Sequence, residues 1–429
     1  MLTWARLLTT QRLRRAESRG FSTRSPFEQD ADLVVFSAAF RRLQDKTQVQ
    51  PLAEGGRARS RLTHSIEVAS VGRSLGSAAA HALRAGRALD ASLCAAMAHV
   101  VHAACLAHDI GNPPFGHGGE DAIQGWFRAH PEVLAQLTPA HAADLLAFDG
   151  NAQGFRLLTQ LENYRFDGGL RLTHATLGAL MKYTVSALER DRSSAEGSRR
   201  KPGYFSAERA YVDELRAALA LPPGVRHPLV YLTEAADDIC YAIVDLEDGF
   251  EAGLLDHHEA VEVLAAVAGV PPDASLGRAE QLQKLRAIAI GRLVEAVAAV
   301  FVELEPALLR GESVPELCSL TPLGGGVAEA KALARRRIYA APSVIERLVG
   351  GQGALTSLLD TLVPVVDALA QVGFDRAALH GRVASVAQLL GPGYLPRDRY
   401  EALLGITDYL SGLTDHALLA LHRRLAGFA

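Results

Sequence analysis

Residues 91–107 read Ala-Ser-Leu-Cys-Ala-Ala-Met-Ala-His-Val-Val-His-Ala-Ala-Cys-Leu-Ala, a nearly all-apolar run. A run of this length and composition is expected to form a helix buried in an all-α core. It stops at His108-Asp109-Ile110-Gly111-Asn112-Pro113-Pro114, where Gly and two prolines end any helix. Helical periodicity also covers residues 62–84, with Leu62, Ile66, Ala69, Val71 and Leu75 on one broad face. Further helices are expected near Gly119-Glu120 and over 155–162, 173–189, 207–220, 228–248 and 257–269. Alternating Val/Ile/Thr-rich stretches are rare, so any sheet is small or absent.

With 429 residues and 49% hydrophobic composition, the chain can bury a large core. We expect a basic N-terminal arm over 1–27, a helical core over 28–260 and a helical C-terminal region over 261–429 packed on that core. The charge balance is 44 basic to 48 acidic residues, so no global bias toward nucleic acid or membrane exists and an anionic ligand must be held by local cations. The four cysteines, Cys94, Cys105, Cys240 and Cys318, form no CxxC pair, which points to a reduced, cytoplasmic setting. No run of eighteen uncharged apolar residues is present, and no membrane partner is expected. Residues 1–25 carry six arginines and one acid, a transit-peptide-like composition, but Trp4, Leu7-Leu8 and Arg12-Leu13-Arg14 also fit a structured arm. Charged, Ser/Gly-containing residues 189–201 form the first candidate mobile stretch, followed by 321–327 and 391–396.

An adjacent His and Asp offer a neutral nitrogen and a carboxylate oxygen to one hard or borderline metal ion. His108-Asp109 is such a doublet, and His117 with Glu120 follows at i, i+3, a spacing at which a carboxylate can orient an imidazole. His64 lies one turn into the 62–84 helix. In Glu234-Ala-Ala-Asp237-Asp238-Ile-Cys-Tyr241-Ala-Ile-Val-Asp245, residues 237, 241 and 245 share a helix face. Asp238 competes with Asp237. The remaining histidines, including His81, His99 and His102, show no ligand spacing.

The ordered set His, His-Asp, Asp resembles the HD phosphohydrolase superfamily. Within it, the first 260 residues resemble the deoxyguanosine triphosphate triphosphohydrolase (dGTPase) family through Phe40–Val49, Ser60–Ser65, Phe148–Arg156, Lys182-Tyr183, Lys201–Tyr204 and Glu234–Tyr241. The resemblance implies an HD-domain helical core in which His64, His108, Asp109 and Asp237 ligate one divalent ion. Mg²⁺ or Mn²⁺ is expected, with Co²⁺ or Fe²⁺ also suited to the donors. Asp237 is preferred to Asp238 because the family places a Tyr four residues after the ligand, matching Tyr241. His117 and Glu120 would handle protons. Arg61, Lys182, Tyr183, Lys201 and Tyr241 would clamp the triphosphate, and Gln48, Val49 and Asp245 would line the sugar.

The activity so implied is hydrolysis of dGTP to deoxyguanosine and tripolyphosphate by water attack at the α-phosphorus. Asn112, where many relatives have His, points to the dGTP-specific branch. An arginine expected shortly before Asp408-Tyr409 is replaced by Leu404 or Gly405, which loosens the base assignment. The alternatives are a triphosphohydrolase acting on several dNTPs, or a nucleic-acid-binding or regulatory HD protein with little turnover. The resemblance also implies a homo-oligomer, and the basic stretches 1–25 and 190–201 leave single-stranded DNA open as a partner.

Overall fold

In a computed structural model, which describes residues 1–14, 23–48, 59–87 and 91–427, the apolar run is the Ala91–Ala107 helix. It packs against the Arg61–Arg87 helix, with Pro26–Val35 and His174–Leu180 on other sides. Val100, Val101, Ala104 and Cys105 are fully buried, which accounts for the absence of charge along it.

Two glycines set how closely the Arg61–Arg87 helix approaches it. A Cβ at Gly76 would stand 2.8 Å from the Ala98 Cα, and one at Gly72 would stand 2.4 Å from Cys105 Sγ. No larger residue fits either position without moving the helices apart.

Two apolar clusters build the interior. The first joins these helices to Val230–Glu251, His257–Ala268, Arg278–Leu309 and Gly324–Ala334, through residues such as Ile239, Leu264, Leu293 and Leu333. Helices on both sides of residue 260 therefore share one core. The second unites His117–Ala129 with Pro342–Leu362, Pro364–Gln371, Arg399–Ser411 and Asp415–Leu425, through Ile123, Phe127, Leu355, Leu359 and Leu418. The His108–Gly116 turn crosses from the first cluster to the second.

Among the described residues there is no strand, only three isolated bridges, Arg12 with Thr173, Thr47 with Ser60 and Ser186 with Tyr204. The fold is all-α, as expected. The chain's beginning is anchored: Trp4 Nε1 donates to Glu305 at 2.9 Å, and buried Arg12 pairs with buried Asp30 at 2.6 Å.

Several local expectations change. Ile66 is 51% exposed, so the buried face of its helix is narrower than its apolar pattern suggests. The 173–189 helix ends at Leu180, because the chain beyond it runs alongside residues 203–204: Val185 O accepts from Gly203 N at 2.9 Å. Residues 157–161 continue Gly150–Arg156 as a π-helical turn. Residues 324–327, within a stretch expected to be mobile, begin the Gly324–Ala334 helix. Over Pro342–Gln371 the chain is long and apolar enough to cross a membrane by length and composition; half of that window is buried, and Pro342–Leu362 packs on His117–Ala129.

Candidate metal centre

Close helix packing brings His64 against the end of the Ala91–Ala107 helix, with the His64 and His108 ring centroids 5.3 Å apart. Asp237, on Val230–Glu251, completes the group. Its Oδ1 lies 3.1 Å from His64 Nε2 and 3.6 Å from His108 Nε2. One donor atom from each of these three residues falls within 4.8 Å of the others.

The donors fit a cation. His108 Nδ1 lies 2.7 Å from the Cys105 carbonyl, which requires the ring proton on Nδ1 and leaves the Nε2 lone pair facing the cluster. That Nε2 is buried and has no hydrogen-bond partner. Burial opposes charge on both His64 and Asp237, yet each stabilises the other. His64 is raised, and Asp237 is held far below the usual carboxylate range by His108, His64 and Lys182. Two imidazole nitrogens and an anionic oxygen form a borderline donor set open to first-row divalent ions and Mg²⁺.

Asp109 stands at the edge of the group, its Oδ1 3.8 Å from His108 Nε2. Arg61 Nη1 bonds its Oδ2 at 2.8 Å, and Asn112 donates to its Oδ1. Arg61, expected in the phosphate clamp, is thus engaged with Asp109. Asp238 turns the other way and pairs with Lys331 at 2.6 Å, which removes it as the rival ligand.

The turn after His108 is fixed by close backbone approach. A Cβ at Gly111 would lie 2.1 Å from both the Gly150 carbonyl and the Gly154 nitrogen. This contact seats the turn directly on the Gly150–Arg156 helix. His117 Nδ1 meets Glu120 Oε2 at 2.8 Å, and Glu120 Oε1 accepts from Gly150 N at 2.7 Å. The His117 side chain is 80% exposed, so its Nε2 faces solvent while Glu120 beneath it is buried. The Glu120 hydrogen bond and charge raise the His117 pKa above its ordinary value, against burial and the charges of Lys201 and Arg61.

The remaining expected residues surround this pair of groups. Lys201 Nζ lies 2.9 Å from Asp149 and 3.7 Å from Glu120, while Lys182 lies 3.6 Å from Glu234. Tyr183 lines a small cleft with His108, Asn151 and Lys182. Tyr241 stacks on Tyr339, with centroids 5.6 Å apart and planes 9° apart, and Tyr339 donates to buried Asp245. Burial pushes the Asp245 carboxyl up to about 7. Gln48 Oε1 is buried without a partner, and Val49 lies outside the described residues.

Asp149 and Tyr339 were not singled out from the sequence. Asp149 lies within Phe148–Arg156, where an Asp before Gly-Asn reads as a helix cap, and it does cap Gly150–Arg156. Tyr339 lies on a π-helical turn, Arg335–Tyr339, that nothing local marked. A separate cavity of about 490 Å³, lined by Arg156, Tyr394, Arg397, Leu404 and Asp408 among others, contains none of the expected site residues.

A family model described as HD domain matches residues 61–149. The chain is 40% identical to the deoxyguanosinetriphosphate triphosphohydrolase-like protein of Pseudomonas aeruginosa (strain LESB58), an alignment covering 99% of this chain and 98% of that protein. The protein of the same description from Synechocystis sp. is 38% identical over 99% of both chains. The deoxyguanosinetriphosphate triphosphohydrolase of Enterobacter sp. (strain 638) is 31% identical over 93% of both.

His64→Ala removes one nitrogen from the cluster without touching the apolar contacts of its helix. Calorimetric titration with Mn²⁺ is expected to show affinity falling at least about a hundredfold, with far-UV circular dichroism unchanged. Retained Mn²⁺ affinity would remove His64 from the ligand set.

Proposed function

The chain belongs to the dGTPase family of HD phosphohydrolases, and from that premise we propose that it hydrolyses dGTP to deoxyguanosine and tripolyphosphate in the cytoplasm. The observation that carries this reading is the orphaned His108 Nε2 facing His64 and Asp237, with the His117–Glu120 pair on the next helix. His64, His108, Asp109 and Asp237 would hold one divalent ion, Mg²⁺ or Mn²⁺ in the first instance and Co²⁺ or Fe²⁺ as chemically acceptable substitutes. When bound, the ion supplies Lewis-acid stabilisation of phosphoryl charge and makes water more acidic.

The chain's own groups account for the rest. Water attacks the α-phosphorus, the bond from phosphorus to the 5′-oxygen breaks, and that oxygen gains the proton which water loses. His117 exchanges a proton through Nε2 while Glu120 keeps the other ring nitrogen protonated. Lys182, Lys201, Tyr183 and Tyr241 hold triphosphate oxygens. Arg61 holds Asp109 in place and adds positive charge beside it. Gln48 faces the sugar at C2′ and C3′, and Asp245, carried by Tyr339, lines the wall beyond.

Turnover of several dNTPs is the second reading. Leu404 and Gly405 stand where the resemblance expects an arginine, so the expected base-reading cation is missing from those two positions. Homo-oligomer formation and single-stranded DNA binding belong to the proposal as well. Exposed Tyr164 and Phe166 lie under Arg165 and Arg171, a pairing of aromatic and cation suited to stacking bases.

Incubation with each dNTP and Mn²⁺, followed by product separation, is expected to yield deoxyguanosine and tripolyphosphate from dGTP alone. Turnover of all four supports the second reading, and release of monophosphate and pyrophosphate overturns both. Glu120→Gln removes the groups that raise His117, so the His117-dependent limb of the kcat/KM profile is expected to move to lower pH, with kcat reduced about a hundredfold. An unmoved limb would separate His117 from the chemistry. Light scattering of the protein, alone and with a single-stranded oligonucleotide at rising salt, is expected to show an oligomer and a complex that dissociates with salt.

A further inference from the structure

Phe115 and Gly116, immediately before His117, have φ of +61° and +55°. A left-handed backbone is unfavourable for phenylalanine and persists only where its surroundings impose it. Three groups impose it here. Asp415 Oδ1 accepts from Phe115 N at 2.9 Å, the Phe115 ring fills the space beside Gly351, where a Cβ would come within 2.5 Å, and the Arg61 guanidinium lies over Gly116.

Asp415 has a second task. Its Oδ2 accepts from Thr47 N at 3.0 Å, one residue before Gln48. Neighbouring Lys46, also buried, donates to the Asn112 carbonyl at 2.5 Å and the Ser411 carbonyl at 2.7 Å. Two buried polar side chains therefore tie three distant segments together: 46–48, 112–117 and 411–415. Asp415 is 1% exposed and spends one oxygen on each of two backbone donors, so neither can be replaced by water.

We propose that Asp415, assisted by Lys46, is a positioning residue that aims His117 and seats the Thr47–Gln48 segment from the last helix of the chain. The inference rests on the reading of His117 as the proton-transfer group and Gln48 as sugar-facing. An amide at 415 has a single oxygen and must turn its NH₂ toward one of the two backbone donors, releasing Phe115 or Thr47. The Asp415–Leu425 helix keeps its Thr414 cap in that variant, because Thr414 Oγ1 accepts from Ala417 N.

The experiment compares Asp415→Asn with the parent and with His416→Ala, an exposed neighbour used as control. The readouts are dGTP kinetics with Mn²⁺, Mn²⁺ affinity by calorimetry, and amide hydrogen exchange at Phe115 and Thr47. For Asp415→Asn, kcat is expected to fall tenfold to a hundredfold, roughly the cost of a 1 Å misplacement, and to fall by more than KM changes. Mn²⁺ affinity stays within about twofold and exchange accelerates at Phe115 or Thr47 alone, as expected for a local opening. His416→Ala matches the parent. Parental kcat with parental exchange overturns the proposal, as does faster exchange throughout the chain with Mn²⁺ affinity lost in parallel. If Asp415→Asn does not fold, Lys46→Gln is measured in the same way with the same expected and overturning outcomes. A parent that turns over no dNTP refutes the functional reading, while local exchange in the variant still decides whether Asp415 holds the turn.

Discussion

Everything at the candidate centre depends on how near two helices can come. Gly72 and Gly76 let the Arg61–Arg87 helix lie against the backbone of Ala91–Ala107, and that approach brings His64 to His108. The rest of the centre takes its place from there. Asp237 arrives on a helix packed against both, and the Gly111 turn then carries the chain into the second apolar cluster. A centre built on rigid helices keeps its donor atoms in register at little cost, since side chains locked by packing have lost their freedom already.

Charge around the centre is arranged in layers. His108 is held by a carbonyl, Asp109 by Arg61 and Asn112, Glu120 by a backbone amide, and Lys201 by Asp149. Each of these four side chains is thus oriented by a second group behind it. Such backing fixes tautomers and rotamers before substrate arrives, which favours catalysis over mere binding. It also explains why Arg61, an obvious phosphate ligand on paper, is turned toward a carboxylate.

The helical core and three members of the cluster were legible because their signals are local: an apolar run with a hard stop, a His-Asp doublet, and an Asp on a helix face. What was not legible depends on distant partners. Asp237 and Asp238 are adjacent on one helix and differ by about 100° in direction; the resemblance prefers Asp237 through Tyr241, but Asp238's own partner, Lys331, is 93 residues away and has no local signal. The loss of helix after Leu180 follows from the neighbouring 203–204 segment, a tertiary contact that outweighs helix propensity. Tyr339 has no flanking motif; Asp415 closes a segment, 407–415, that resembles the family's C-terminal part, but nothing local marks its bonds to Phe115 and Thr47.

Trp4 and Asp415 lie near opposite ends of the chain, and both close onto its middle. The bond from Thr47 to Asp415 spans 368 residues. During synthesis, which proceeds at about 5–20 residues per second, His64, His108 and Asp237 all emerge long before residue 415 does. A nascent chain therefore carries its cluster donors for many seconds while the turn before His117 still lacks its anchor. The arrangement proposed for His117 and Thr47–Gln48 is complete only once the Asp415–Leu425 helix has been made.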